Sequence, residues 1–98
     1  MNIVETKTNE SLEIQLEGRL DTITSPELEK KLGTALEGVT DLVMDFSNLA
    51  YVSSAGLRVI LGAQKRMNKQ GKMIIRNVSE EIMEVFDMTG FTDILTIE

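Results

Sequence analysis

Ninety-eight residues, 42% of them hydrophobic, are enough for one domain with a single core and leave little room for a second. Ten basic against sixteen acidic residues give a net charge of −6, which argues against nucleic acid and anionic membranes as partners. Cysteine and histidine are both absent, which excludes disulfides, thiolate chemistry, His/Cys metal sites and the usual general base of neutral pH.

Taken in order, Ile3 to Lys7 has the length and composition of a short strand, and Asn9-Glu10 reads as a turn. Leu12, Ile14 and Leu16 then alternate with Glu13, Gln15 and Glu17, the period of a half-buried strand. The short gap predicts an antiparallel hairpin, closed by Gly18-Arg19-Leu20-Asp21. Ser25 is the expected N-cap of a first helix, with Pro26 at its first position, and Leu28, Leu32, Ala35 and Leu36 share one face. Gly38 is expected to stop it.

Asp41 to Phe46 is an apolar run of strand length without alternation, which predicts a central strand covered on both faces. Ser47 to Val52 reads as a loop leading to Ser53-Ser54-Ala55-Gly56. From there Leu57, Ile60, Leu61, Gln64 and Met67 mark a second helix, ended by Lys69-Gln70-Gly71-Lys72. Met73 to Arg76 predicts a buried strand. Ser79, ahead of Glu80-Glu81, caps a third helix that Gly90 ends, and Ile94 to Ile97 predicts a last strand. Strands alternating with helices imply parallel pairing through crossovers. The expectation is an α/β fold in one domain over residues 1–98. It has a small mixed sheet, with an antiparallel N-terminal hairpin followed by parallel strands, and three helices.

The chemistry gathers at the start of the second helix. A helix N-terminus offers free N–H groups and the positive end of the dipole. The plain reading of Ser53-Ser54 is an N-cap, worth about 1 kcal/mol. A second adjacent hydroxyl is surplus to that need, and phosphorylating it adds about −1.5 to −2 charges. The helix N-terminus tolerates that charge, whereas an acidic partner surface pressed against it does not. Gly56 permits another backbone to approach the first turn. Asp21 and Asp45 are the carboxylates expected near the junction, at the ends of their strands. No phosphate-cradling Gly-x4-Gly-Lys-Ser/Thr pattern occurs, and no metal site or cofactor is expected. No apolar run reaches the ~18–20 residues that span a bilayer, and Met1 to Glu5 lacks the start of a signal peptide. A cytoplasmic protein without direct membrane insertion is therefore expected, and a binding module rather than an enzyme.

Several of these stretches, in this order, resemble the STAS family, specifically the small bacterial anti-sigma factor antagonists. They are Gly18-Arg19-Leu20-Asp21, the Leu42 to Phe46 strand, Tyr51-Val52-Ser53-Ser54-Ala55-Gly56-Leu57, Val59-Ile60-Leu61-Gly62 and Phe86-Asp87-Met88-Thr89-Gly90-Phe91. The resemblance implies partner switching. The unmodified protein binds a serine-kinase anti-sigma factor and so releases sigma factor; the kinase phosphorylates one serine and breaks the complex; a PP2C-type phosphatase resets it. The family's phosphorylated serine follows Asp and precedes Ser or Thr, then Gly. Aligning Gly56-Leu57 places the acceptor at Ser54, with Ser53 in the Asp position and Ala55 in the hydroxyl position. Ser53 is the alternative acceptor. Asp21 matches the family's acidic residue after the second strand. The implied partner-binding residues are Asp21, Ser53, Ser54, Ala55, Gly56, Leu57 and Arg58. The alternative is a STAS adaptor in a transporter or lipid-trafficking complex, independent of phosphorylation.

Overall fold

Asn9, in a left-handed conformation with φ of 56°, turns the chain between β1 (Asn2–Thr8) and β2 (Ser11–Leu20). Asparagine is among the few non-glycine residues that adopt this conformation readily. The two strands pair antiparallel from Asn2↔Glu17 to Thr8↔Ser11. Four further elements complete the frame: α1 (Ser25–Ala35), β3 (Asp41–Val52), α2 (Ser54–Gln70) and β4 (Lys72–Arg76). After them come α3 (Glu80–Thr89) and a 3-10 turn at Phe91–Asp93. The computed structural model describes all residues, 1–98. The sheet order is β1-β2-β3-β4, with β2–β3 and β3–β4 parallel.

Both crossovers step the same way across the sheet, so connections of one hand place α1 and α2 on the same face. The two helices are tied together there. Arg66 Nη1 donates to the Leu32 and Gly33 carbonyls at 3.4 and 3.0 Å. Gln70 Nε2 donates to those of Leu36 and Val39 at 2.7 and 2.6 Å. α3 joins the same face, with Phe86 6.5 Å from Phe46 between ring centroids. Leu12, Ile14 and Leu16 of β2, Leu42, Met44 and Phe46 of β3, and Met73 and Ile75 of β4 form the covered face. Glu13, Val43 and Ile74, on the other side of the pleat, are only half-buried. The Asp41 to Phe46 run is therefore covered on one face and not on both, which corrects the reading from its missing alternation.

The expected loop at residues 47–52 is strand. β3 has 12 residues against ten in β2, because it carries two bulges. One extra residue falls between the Gln15↔Asp45 and Glu17↔Asn48 pairs, the other between Gly18↔Leu49 and Arg19↔Tyr51. Buried positions accordingly run Leu42, Met44, Phe46, Leu49, Val52, switching from every second to every third residue. That spacing hides the strand from a search for period two.

Two other expectations are corrected. Ile94 to Ile97 is no strand but one parallel bridge, Ile75↔Ile97, so the sheet has four strands. The Ile94 and Leu95 N–H groups bond back to the Phe91 carbonyl at 3.0 and 2.8 Å, which keeps that segment in a turn. Ser25 is the first residue of α1 rather than its cap; the cap position is Thr24, and the Ser25 hydroxyl is buried without a hydrogen-bond partner. The caps expected for α3 are present: the Ser79 hydroxyl accepts from Ile82 N–H at 3.3 Å, and Gly90 ends the helix with φ of 78°. No helix is long and apolar enough to cross a membrane.

Candidate functional site

The second bulge brings β3 to its end with Val52 buried in the core. The next N–H, of Ser53, donates to the Leu20 carbonyl at 2.8 Å, so the start of α2 is fastened to the end of β2. Ser53 has extended backbone, and its hydroxyl accepts from Gly56 N–H at 3.3 Å while its carbonyl accepts from Leu57 N–H at 2.9 Å. It is the N-cap. Ser54, the first helical residue, is exposed, and its hydroxyl makes no hydrogen bond. The adjacent serines thus have different work: one closes the helix, and the other stands open to solvent above it.

Gly56 is buried against Leu20. A Cβ there would lie 2.8 Å from Leu20 Cγ and 2.9 Å from its carbonyl oxygen. The close approach expected of Gly56 comes from the chain itself. Leu57 is also turned inward, at 8% exposure. Of the residues expected to face a partner, Gly56 and Leu57 are therefore covered, and a partner can reach Asp21, Ser54, Ala55, Arg58 and the rim of Ser53.

α2 runs for 17 residues with no acidic residue in its first turn. α1 carries Glu27 there, and α3 carries Glu80 and Glu81. The N–H groups of Ser54 and Ala55 have no carbonyl within the helix to bond, and no acidic side chain of the first turn of α2 offsets its positive end.

Asp21 builds the loop beside this helix start. Its Oδ1 accepts from Ile23 and Thr24 N–H at 3.0 Å each. The Thr24 hydroxyl accepts from Asp21 N–H at 2.9 Å and donates to the Arg19 carbonyl at 2.7 Å. The Thr24 N–H bond is the main cause that holds the Asp21 carboxyl below the usual aspartate range. The Ile23 N–H, the Thr24 hydroxyl and the Arg19 charge, 3.8 Å away, act the same way, against a partial loss of solvent. Arg19 also stacks over Tyr51, its partner across β2 and β3, with Cζ 4.2 Å from the ring centroid. Across a cleft of about 120 Å³, Thr22 of this loop and Ser25, Pro26 and Glu29 of α1 face Ala55 and Arg58 of α2.

Asp45 is not at the junction. It lies at the first bulge in the middle of β3, where its carboxylate accepts from Ser47 N–H at 2.8 Å and from Asn77 Nδ2 at 3.3 Å. The Ser47 N–H bond chiefly keeps its pKa below the aspartate range. Its work is to pin the bulge to the loop after β4. Sequence reasoning missed Thr24, Arg19 and Tyr51. The first was signalled by the Asp-x-x-Thr spacing of Asp21 and Thr24; the other two depend on the bulged register.

The STAS domain family matches residues 2–98. The chain belongs to the STAS domain family. It is 36% identical over 100 residues to the anti-sigma-B factor antagonist of Bacillus subtilis (strain 168), covering 99% of this chain and 92% of that one. To the anti-sigma-B factor antagonist of Staphylococcus epidermidis it is 37% identical over 101 residues, covering 99% and 94%. Among solved structures, the Bacillus cell fate determinant SpoIIAA in its phosphorylated form superposes with a TM-score of 0.77 at 25% identity, over 99% of this chain and 91% of that chain. Unphosphorylated SpoIIAA, an anti-sigma factor antagonist, gives 0.78 at 24% identity, over 99% and 87%. The mixed sheet with three helices on it is thus the STAS fold.

Proposed function

We propose that this STAS protein is an anti-sigma factor antagonist switched by phosphorylation of Ser54. Unmodified, it binds a serine-kinase anti-sigma factor in the cytoplasm and frees the sigma factor. The kinase then transfers phosphate to Ser54 and the complex dissociates; a PP2C-type phosphatase restores the hydroxyl. The protein acts by binding and carries no catalytic residue of its own. The observation that carries this reading is the division of labour between the serines. Ser53 holds the cap, so Ser54 can be modified without loosening the helix. The N-terminus of α2, with no acidic residue in its own first turn, tolerates the new charge, while a partner packed against it must accommodate a dianion. The antagonist relatives, aligned over nearly the whole chain, support the same reading.

Ser54→Glu is the direct test. It is expected to weaken the complex with the kinase at least about tenfold, as loss of a desolvated contact does, and to leave the thermal melt nearly unchanged. A variant that binds normally would favour the phosphorylation-independent adaptor. One that fails to fold would make Ser54 part of the scaffold.

A further inference from the structure

Ile23 is 87% exposed, the most exposed large apolar side chain of the protein. Single exposed apolar residues are ordinary on protein surfaces, but this one has two unusual attributes. First, its backbone is fixed. Its own N–H donates to Asp21 Oδ1, and the residues on either side are held by Thr24 N–H to the same oxygen and by the Thr24 hydroxyl between Asp21 N–H and the Arg19 carbonyl. Secondly, its neighbours Thr22 and Ser25 face Ala55 and Arg58 across the cleft at the start of α2. Ile23 thus stands on the same end of the molecule as Ser54. It packs on nothing within the chain, so folding gains nothing from it. A stiff apolar side chain on a rigid loop loses little conformational entropy when buried by a partner, which is the property of an interface anchor.

We infer that Ile23 is the apolar anchor of the face around Ser54, seating in an apolar socket of the kinase beside its phosphotransfer site. The inference rests on the reading of Ser54 as phosphoacceptor and adds what holds the kinase there. Ile23 touches neither the hydroxyl nor the phosphate, so it contributes to binding and not to transfer.

The test uses the full chain and the purified anti-sigma factor kinase of the same organism. Ile23→Ser and Ile23→Lys are compared with wild type in Kd, in KM and kcat of Ser54 phosphorylation, and in thermal melt. Met88→Ser is the control: Met88 is 86% exposed on α3 and lies outside the cleft that Thr22, Ser25, Ala55 and Arg58 line. Both Ile23 variants are expected to raise Kd and KM by on the order of 10- to 100-fold with kcat and melt nearly unchanged. Met88→Ser is expected to change neither constant by more than about twofold. Normal Kd and KM in the Ile23 variants, with Ser54→Glu still failing to bind, would overturn the anchor and leave the switch standing. A fall in kcat at constant KM would overturn it too. If the wild type neither binds the kinase nor takes phosphate, the switch falls and the anchor with it.

Discussion

At the residue scale, two adjacent serines differ in whether a backbone N–H needs them. Ser53 Oγ accepts from Gly56 N–H, and Ser54 Oγ accepts from nothing. Ser53→Ala is therefore expected to cost about 1 kcal/mol in denaturant unfolding, and Ser54→Ala to cost almost nothing. Equal losses would contradict the assignment of roles. The sequence shows that one of the pair caps the helix but not which. That depends on where extended backbone gives way to helix, and only the β2–β3 register determines it. Asp21 supplies a pH-dependent term. Its folded pKa lies below its unfolded value, so the unfolded chain takes up the proton first. The stability it adds is whole above the usual aspartate pKa of about 4 and drains away as the pH falls through and below that value. Asp21→Asn keeps an acceptor but not the charge. Its deficit in melting temperature should be greatest near neutral pH and should shrink in acid below about pH 4. A deficit that is constant with pH would contradict this.

At the element scale, the start of α2 is placed by contact and not by propensity. Gly56 lies against the Leu20 carbonyl and side chain, whereas nothing lies within 4 Å of a Cβ built on Gly62. Gly56→Ala is expected to destabilise by about 1–3 kcal/mol, and Gly62→Ala to stabilise by about 0.5–1 kcal/mol because alanine suits a helix interior better than glycine. Thermal melts of the pair should move in opposite directions; movement in the same direction would contradict the packing. The hairpin, α2 and α3 were legible because their signals are local: alternation in Leu12, Ile14 and Leu16, and Ser and Gly at the ends of α3. β3 was half legible. Its two bulges displace Leu49 and Val52 from the period set by Leu42, Met44 and Phe46, and bulges arise from pairing with β2. The first cap failed for a related reason. Asp21 and Thr24 bind each other across the loop and leave Ser25 to enter the helix as an ordinary residue.

At the scale of the molecule, an acidic body of 98 residues carries the proposed working surface at one end of a four-stranded sheet. Three helices cover one face of that sheet, and the β2–α1 loop and the start of α2 meet at the C-terminal ends of β2 and β3. Modification there leaves the core untouched, because Ser54 is exposed and the nearby buried groups, Val52, Gly56 and Leu57, are held by Leu20 and the cap. The proposed switch is therefore a change of surface and not of fold. Residue identity at this end was readable from the chain; what is buried and what is open was not, since Gly56 and Leu57 belong to the motif yet point inward. The most direct test is to incubate the protein with the proposed anti-sigma factor kinase of the same organism and ATP, and to locate the phosphate by mass spectrometry. The account predicts one phosphate, on Ser54, with loss of the complex and an unchanged melt; phosphate on Ser53 alone, or on neither serine, would contradict it.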